Sequence, residues 1–350
     1  MTSDGREAAG PSPGGSSDLS LRRRFLSLRT LGSIAFAAAL LVLLFRVLLD
    51  IDFAASWALI VGAHAGLLLL ACLAYYATFP VRGVRWSFVL GQAGTPLPVR
   101  QATEIVFLGW FVNCLVPAKL GDLYRAYLLK GNYGAPMSRT VGTIFIERVA
   151  DLVVMFWLAL AAGYWSFRDR SRPELDAFFL IGFLVGAVLV AAVIALRYGG
   201  GRLVGWMPAR VGDMVRLFRE GSTRPLTLRS IPVIGLATAT IWILEGLRLY
   251  FVIRALDLPS IELGLGASIF VALAGSLLTA IPLTPAGIGF VEAGIVGALA
   301  LYGVPLEQGV AVALTDRVIT ILTVIVFGGL AYAFSPMVRR AHGVGVGVGG

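Results

Sequence analysis

The feature that most constrains this chain is a series of apolar runs of about 20 residues, which recur between Leu31 and Phe334. A helix of that length and composition spans the hydrocarbon core of a bilayer. Only 14% of the residues are charged, whereas soluble proteins carry about 25%. No stretch between the runs is polar enough to form a folded soluble domain. We therefore predict an all-α, polytopic helical membrane protein.

The predicted transmembrane domain covers residues 30–335, between two tails, 1–29 and 336–350, that we expect to be disordered and cytoplasmic. Six apolar runs are long enough for full crossings, and they cover 30–49, 57–79, 139–165, 177–197, 230–253 and 309–334. Two further apolar segments differ from these: 101–117 is short and ends at Pro117, and 264–302 is broken in its middle by Pro and Gly. Because irregular backbone at membrane depth must be covered by protein or line a wet cavity, we predict two re-entrant hairpins. Two ordinary spans kinked by Pro and Gly are the alternative.

The distribution of the 29 Lys and Arg residues predicts the orientation of the chain. Segments on one predicted side hold 21 of them, segments on the other hold four, and four fall inside spans. Cytoplasmic loops carry the excess of basic residues, so we predict a multi-pass protein of the inner or plasma membrane with both termini in the cytoplasm. The same placement beside apolar runs argues against nucleic acid as a partner, although the net charge is +9.

Residues that bind metals or form disulfides are few and dispersed. Cys72 and Cys114 both lie inside apolar segments, and His64 is far along the chain from His342. We therefore predict free cysteines, no metal site and no cofactor. Small residues four apart, at Gly62 with Gly66 and at Gly182 with Gly186, indicate helix packing or a homodimer interface. The stretch 211–220 has the pattern of an amphipathic helix at the membrane surface.

The two interrupted segments resemble each other. Pro117 to Gly121 and Pro285 to Gly289 both have the pattern P-A-x-x-G. Arg148 lies 31 residues after the first proline and Arg317 lies 32 after the second, and each arginine follows an acidic residue and precedes Val. Matched spacing of this kind predicts an internal repeat.

The predicted repeats cover about 101–165 and about 264–334. Three predicted crossings, 139–165, 177–197 and 230–253, separate the two hairpins, and an odd number of crossings reverses the orientation of the second hairpin. An inverted repeat with broken helices is typical of transporters whose binding site lies between the repeats near the membrane midplane.

Four runs carry a family resemblance: Asn113 to Ala126 (NCLVPAKLGDLYRA), Glu147 to Asp151 (ERVAD), Ile281 to Ala293 (IPLTPAGIGFVEA) and Asp316 with Arg317. They resemble the lysylphosphatidylglycerol synthase transmembrane-region family, also called flippase-like integral membrane proteins, over about residues 30 to 335. Ala118 and Ala286 stand where the family often has Gly, and Asp122 stands where it often has Glu. The resemblance implies translocation of a lipid with a polar headgroup or a role beside glycolipid assembly. We expect a member without the aminoacyl-transferase domain that the synthases carry.

Ten ionisable residues fall inside the apolar segments: Arg46, Glu104, Glu147, Arg148, Asp151, Glu245, Arg248, Glu292, Asp316 and Arg317. Each costs about 2.5–3.5 kcal/mol at the centre of a span, so unpaired charges of this number predict a functional site. The alternative is that pairs three residues apart, such as Glu245 with Arg248, neutralise each other on one helix face.

The predicted substrate-binding residues are Arg148, Arg317, Glu147, Asp151, Asp316, Glu292, Lys119 and Arg125. The predicted backbone of the hairpins includes Pro117, Gly121, Pro282, Pro285, Gly287 and Gly289. A guanidinium stays charged and matches phosphate oxygens with a planar fork of donors, so we expect Arg148 and Arg317 to hold a lipid phosphate. The acids would keep the phosphate from being trapped and would contact a cationic headgroup where one is present.

The leading hypothesis is a lipid translocase, not an enzyme, whose partners are membrane lipids. The sequence shows no nucleotide-binding motif, so we expect transfer to be downhill or ion-coupled, with Glu245 and Glu292 as candidate proton carriers. The alternative is a membrane enzyme, or the partner of a lipid-modifying enzyme or glycosyltransferase, in glycolipid or polyprenyl-lipid assembly. In that case Glu147 and Asp151 are the candidate acid and base.

Overall fold

A computed structural model describes residues 53–167, 208–258, 263–278 and 284–344, with isolated residues between 180 and 194. Every regular element in these ranges is helical, which confirms the predicted all-α class. The helices are α1 Phe53–Val61, α2 Ala65–Gln92, α3 Val99–Leu115, α4 Leu120–Tyr133, α5 Met137–Phe167, α6 Ala209–Thr223, α7 Ser230–Ala255, α8 Leu265–Leu277, α9 Phe290–Ala300, α10 Leu306–Arg317, α11 Thr323–Phe334 and α12 Pro336–Val344. The predicted span 30–49 lies outside these ranges.

Three helical segments in the described ranges are long and apolar enough to cross a membrane: α2, α7 and the continuous helix Leu306–Phe334. Large apolar side chains on their outer faces are more than half exposed, among them Leu69, Leu73, Leu236, Phe327 and Leu330. Extended apolar exposure of this kind marks a surface that contacts lipid or protein. The six crossings, the re-entry of the hairpins and the side of each terminus stay predictions.

The predicted span 57–79 is wrong at both ends. Helix α1 ends at Val61, and α2 begins at Ala65 after an extended residue, His64, whose backbone N–H donates to the carbonyl of Ala255 at 2.8 Å. Helix α2 then continues to Gln92, past the end of the predicted crossing and through Arg82 and Arg85. The helix continues because both arginines are buried and neutralised inside the protein.

Among the helices that the structure describes, α2 and α7 form the most extensive helix pair. Trp86 of α2 and Leu249 of α7 are fully buried in the main apolar core, together with Ile105 of α3. A polar cavity lies between this pair of helices and the two helical hairpins.

The first hairpin consists of α3 and α4, so the predicted segment 101–117 is only its first arm. The second arm, Leu120–Tyr133, lies outside this segment and outside the six predicted crossings. The backbone N–H of Gly121 donates to Asn113 Oδ1 at 2.8 Å. A Cβ atom at Gly121 would overlap the carbonyl oxygen of Gly109, so the two arms meet where neither residue has a side chain.

The second hairpin consists of α8 and α9, joined through a short 3-10 turn at Pro285–Gly287. Its arms also meet at glycines, because a Cβ atom at Gly294 would lie 2.8 Å from Gly275 Cα. Pro282, which we predicted to shape this turn, lies outside the described ranges.

The turns of the two hairpins share an unusual backbone conformation. Directly after a proline, each turn has two successive residues in the left-handed region, at φ 62° and 52° for Ala118 and Lys119 and at φ 50° and 70° for Ala286 and Gly287. Residues other than glycine rarely adopt this conformation. The sequence similarity between the two segments therefore corresponds to the same local geometry.

Residues 336–344 form helix α12, so the predicted disordered tail is wrong for this part of the segment. Its inner face buries Met337, Val338 and Ala341. Helix α4 binds it through two side chains, since Tyr127 Oη donates to the carbonyl of Ala341 at 3.1 Å and Asn132 Nδ2 donates to that of Met337 at 3.0 Å. The apolar residues lie on one helix face, which a count of composition does not detect.

The predicted amphipathic helix at 211–220 is confirmed as a helix, α6. It packs against α5, where a Cβ atom at Gly142 would overlap the carbonyl oxygen of Phe218. Arg139 Nη2 and Glu220 Oε2 form an ion pair at 2.9 Å across the same contact. Its position at a membrane surface stays a prediction.

Candidate functional site

A cavity of about 310 Å³ lies where the two hairpins face each other. The first hairpin contributes Trp110, Asn113 and Lys119, and the second contributes Ala286 and Gly287. The charged residues of its wall are Arg82, Lys119, Arg148, Asp151, Glu245, Arg248, Asp316 and Arg317. Its volume falls at the lower end of the range for small-molecule sites, so it can hold a lipid headgroup but not acyl chains.

The structure brings together five of the eight predicted substrate-binding residues in this wall: Lys119, Arg148, Asp151, Asp316 and Arg317. Arg125, Glu147 and Glu292 lie behind the wall, where each contacts another charged side chain. The two arginines that the sequence pattern paired therefore reach one cavity, one from helix α5 and one from helix α10.

Arg148 fastens the first hairpin to helix α5. Its Nε and Nη2 atoms donate to the two carboxylate oxygens of Asp122 at 2.9 Å and 2.8 Å. Asp122 lies in the first turn of α4. The Nη1 atom lies 3.5 Å from Asp151 Oδ2, and the guanidinium carbon lies 5.2 Å from the centre of the Trp110 ring. The fork geometry makes this the more strongly held of the two repeat arginines.

Arg317 fastens the second hairpin in a similar way. Its Nε donates to Glu292 Oε1 at 3.1 Å, and its Nη2 donates to the carbonyl of Ala286 at 3.4 Å. Glu292 lies in the first turn of α9 and accepts a bond from the backbone N–H of Gly289 at 2.8 Å. In both hairpins an arginine therefore holds an acidic residue in the first turn after the hairpin bend.

The helix that carries Arg317 contains a π turn at Val318–Leu322, directly after the arginine. Arg317 Nη1 donates to Thr320 Oγ1 inside this turn at 3.4 Å. Single π turns in α-helices occur frequently at functional sites.

Sequence reasoning missed Arg85 of helix α2. Its Nη1 lies 2.5 Å from Asp151 Oδ1, and its Nε lies 3.2 Å from Glu147 Oε1. Glu147 also accepts from Arg125 Nη2 at 2.6 Å, and its side chain is 2% exposed. Glu147 is therefore saturated by two arginines and does not face the cavity, so it is placed neither to contact a cationic headgroup nor to act with Asp151 as an acid and base.

A second chain of ion pairs crosses the molecule from α2 to α10. Arg82 Nη2 lies 3.0 Å from Glu245 Oε1, Arg248 Nη1 lies 2.6 Å from Glu245 Oε2, and Arg248 Nε lies 2.9 Å from Asp316 Oδ1. The predicted pairing of Glu245 with Arg248 is confirmed, but it is part of a longer network. Glu245 and Glu292, the candidate proton carriers, are both held by arginine.

A signal for Arg82 and Arg85 was present in the sequence. Arg82 and Arg85 lie three residues apart, and Trp86 lies four residues after Arg82. Residues three and four apart are neighbours on a helix surface, so this spacing is typical of a helix that continues past Phe79. The ring of Trp110 lies 4.3 Å from the Arg82 guanidinium carbon, and that of Trp86 lies 4.1 Å from the Arg125 carbon. Tryptophan faces stabilise these arginines away from water.

The cavity wall carries more positive than negative charge, because five cationic side chains line it and three anionic ones do. Such a surplus of positive charge in a concave site attracts an anion.

The sequence matches the family described as Lysylphosphatidylglycerol synthase TM region over residues 30–328. The chain belongs to the lysylphosphatidylglycerol synthase transmembrane-region family. The resemblance read from the hairpin motifs is therefore confirmed, and the match covers both hairpins and both repeat arginines of this family member.

Relatives of this family member include UPF0104 membrane proteins and a glycosyltransferase. A UPF0104 membrane protein of Methanocaldococcus jannaschii is 35% identical over 225 residues, which cover 63% of this chain and 93% of the relative. A UPF0104 membrane protein of Methanothermobacter thermautotrophicus is 24% identical over 282 residues, which cover 75% and 81%. Glycosyltransferase AglD of Haloferax volcanii is 25% identical over 302 residues, which cover 76% of this chain and 48% of AglD. This family member is accordingly a membrane protein.

Proposed function

We propose that this protein is a lipid translocase that moves a phospholipid, or another lipid with a polar headgroup, between membrane leaflets. The observation that carries the proposal is that Arg148 and Arg317, from matched positions after two similar hairpins, line one cavity. A phosphate between them would accept bonds from two guanidinium groups that face it from different helices.

The ion pairs of these arginines suit reversible binding. Arg148 is already held by Asp122 at 2.8 Å and Arg317 by Glu292 at 3.1 Å. A phosphate therefore competes with a carboxylate for each guanidinium, which limits how tightly it is bound. A carrier needs such a limit, because a headgroup that is held too strongly is not released on the other side.

The proposed transfer path keeps the acyl chains in the bilayer. The cavity has room for a headgroup only, whereas the outer faces of α2, α7 and α11 are apolar and exposed. We infer that the hairpins are re-entrant halves of an inverted repeat, that both termini are cytoplasmic, and that the halves move relative to each other to expose the cavity alternately. The shared hairpin turns and the shared arginine contacts support this inference.

The test is transfer of headgroup-labelled lipid in liposomes that contain the purified protein, measured by loss of protection from a membrane-impermeant quencher. We expect Arg148→Ala and Arg317→Ala each to slow transfer at least about tenfold, the effect of losing one charge-assisted contact of about 1.4 kcal/mol. Arg216→Ala is the matched control, because Arg216 is 66% exposed on α6 and is absent from the cavity wall. Transfer at the wild-type rate in both cavity variants would contradict the proposal.

A second candidate is a role beside glycolipid or polyprenyl-lipid assembly, since a relative is named glycosyltransferase AglD. In this case the protein would bring a lipid to a glycosyltransferase partner. Mass spectrometry of lipids after incubation with labelled sugar donors, with and without co-purified proteins, separates the two candidates. A new glycolipid that needs this protein, together with no leaflet transfer by the protein alone, would favour the second.

A further inference from the structure

Lys119 differs from the other cations of the cavity. It lies at the tip of the first hairpin, directly before α4, and lines the cavity. Throughout the part of the chain that the structure describes, no carboxylate lies within ion-pair distance of its ammonium group. An ammonium group carries three donors and no acceptor, so Lys119 has its full hydrogen-bonding capacity left for a bound group.

The arginines of the cavity wall have already found partners. Arg82 and Arg248 share Glu245 at 3.0 Å and 2.6 Å. Arg148 and Arg317 are held at 2.8 Å and 3.1 Å by carboxylates of the two hairpins. The uncompensated positive charge of the wall is therefore concentrated at Lys119.

The carboxylates of the wall are occupied as well. Asp151 is bound by Arg85 at 2.5 Å, and Arg248 binds Glu245 at 2.6 Å and Asp316 at 2.9 Å. A cationic headgroup would have to displace an arginine from a buried ion pair and leave that arginine without a partner, which is strongly unfavourable. It would also stand beside five positive side chains.

We propose that the cavity selects a phosphate-bearing headgroup without an amine, that Lys119 joins Arg148 and Arg317 in binding its phosphate as the one of the three without a carboxylate partner among the described residues, and that aminoacylated cationic headgroups are rejected. This inference rests on the proposed lipid translocation and specifies its substrate class. A cationic cavity of this size would also bind a small soluble organophosphate. The experiment must therefore distinguish a lipid headgroup from a soluble phosphate ester.

The first comparison uses phosphatidylglycerol and its lysyl ester, which adds a lysine with two amino groups to the same headgroup, each labelled in trace amounts in phosphatidylcholine liposomes. We expect the wild-type protein to transfer phosphatidylglycerol at least about tenfold faster, which corresponds to about 1.4 kcal/mol of discrimination. Equal rates for the two lipids, or faster transfer of the lysyl ester, would overturn the inference and leave translocation standing.

Substitutions of Lys119 then test the residue itself. We expect Lys119→Gln to abolish the preference for phosphatidylglycerol and Lys119→Arg to retain it. Lys119→Gly is the folding control, because glycine is favoured at φ 52° and removes the charge without adding backbone strain. It must lose the preference as Lys119→Gln does. The matched control is Lys130→Gln, because Lys130 lies in the last turn of α4, is exposed and is absent from the cavity wall.

A binding experiment keeps the inference testable if no lipid is transferred. Native mass spectrometry of the detergent-solubilised protein should show phosphatidylglycerol bound in preference to the lysyl ester, and Lys119→Gln should remove this preference. Preferential binding without transfer would overturn the translocase and support the anionic site. A preference unchanged in Lys119→Gln would overturn the role of Lys119.

The last arm tests a soluble substrate by following uptake of labelled glycerol phosphate into the same liposomes. We expect none. Uptake that depends on Lys119, without lipid transfer, would overturn the lipid as the substrate of this cavity.

Discussion

The two hairpins have the same turn but bring different groups to the cavity. Each bends through two left-handed residues after a proline, and each has an arginine bound to an acidic residue in the next helical turn. The tip of the first is Lys119, whereas the corresponding residue of the second is Gly287. The first hairpin therefore supplies charge, and the second supplies only backbone at the same position.

The hairpins also differ in how firmly they are held. The first is gripped by the two-pronged bond from Arg148 and is covered on its second arm by α12. The second is held by a single carboxylate bond from Arg317 and by a longer bond to a backbone carbonyl at 3.4 Å. We therefore expect the first hairpin to be the fixed side of the cavity and the second to be the side that moves.

The largest expected effect concerns the arginines that precede the hairpins, Arg85 and Arg248. Arg248→Leu should lower the free energy of unfolding by about 3–5 kcal/mol, because it leaves Asp316, 1% exposed, as a buried charge without its ion-pair partner. Arg85→Leu should cost less, about 1.5–3 kcal/mol, since Glu147 keeps Arg125 and Asp151 keeps Arg148. Unfolding by SDS in mixed micelles measures both values.

The double variant Arg248→Leu with Asp316→Leu is the control for this prediction. It should recover most of the loss, because replacing both members of a buried pair with apolar residues is often nearly neutral. If Arg85→Leu lowers the free energy of unfolding more than Arg248→Leu does, Asp316 does not depend on Arg248 as its single ion-pair partner. The prediction would then be wrong.

A smaller effect is expected at the acids in the first turns after the bends. Asp122→Asn should lower the free energy of unfolding by about 1.5–3 kcal/mol, because Arg148 loses its charged, two-pronged partner. Glu292→Gln should cost about 1 kcal/mol, since the amide oxygen still accepts the bond from Gly289. The same micelle unfolding experiment measures both.

Asp213→Asn on α6 is the control, because the ion pair of Asp213 with Arg216 at 3.4 Å is exposed and contributes little. If Glu292→Gln destabilises the protein more than Asp122→Asn, the first hairpin is not the more firmly held of the two.

The smallest expected difference between the two hairpins concerns the glycines where their arms meet, and it is a difference in the stability lost on substitution by Ala. Gly121→Ala forces a Cβ atom into a backbone oxygen and should cost about 1–3 kcal/mol. Gly294→Ala should cost less, because its Cβ atom would lie 2.8 Å from Gly275 Cα and 2.9 Å from the flexible end of Leu278. Thermal unfolding in detergent, followed by the helical circular dichroism signal, measures the order.

Gly297→Ala is the matched control in α9, because nothing lies within 4 Å of its Cβ position. It should be neutral or stabilise the protein by up to about 1 kcal/mol, the helix propensity of Ala over Gly. Equal losses in Gly121→Ala and Gly297→Ala would show that the arms of the first hairpin do not meet as closely as described.

The sequence predicted the parts of the site that depend on repeated motifs. Arg148 and Arg317 were found because each follows a Pro-Ala turn at nearly the same distance, and the structure places both at one cavity. The spacing is similar because each arginine binds an acidic residue in the first helical turn after its own hairpin bend, Arg148 to Asp122 and Arg317 to Glu292.

The sequence did not predict the contacts that depend on long-range packing. Arg82 and Arg85 resembled loop residues because hydropathy falls after Phe79, yet their carboxylate partners lie on helices far along the chain. Helix α12 was not predicted for the same reason, because its apolar face is buried only through its contact with α4, which is distant in the sequence. A window of local hydropathy contains no information about such partners.

The contact between α4 and α12 has a consequence for the order of synthesis. Tyr127 and Ala341 are 214 residues apart, and Asn132 and Met337 are 205 apart. At about 5–20 residues per second, a ribosome needs roughly 10–40 s to make the intervening chain. During that interval the side of α4 that carries Tyr127 and Asn132 is in the membrane or at its surface without α12.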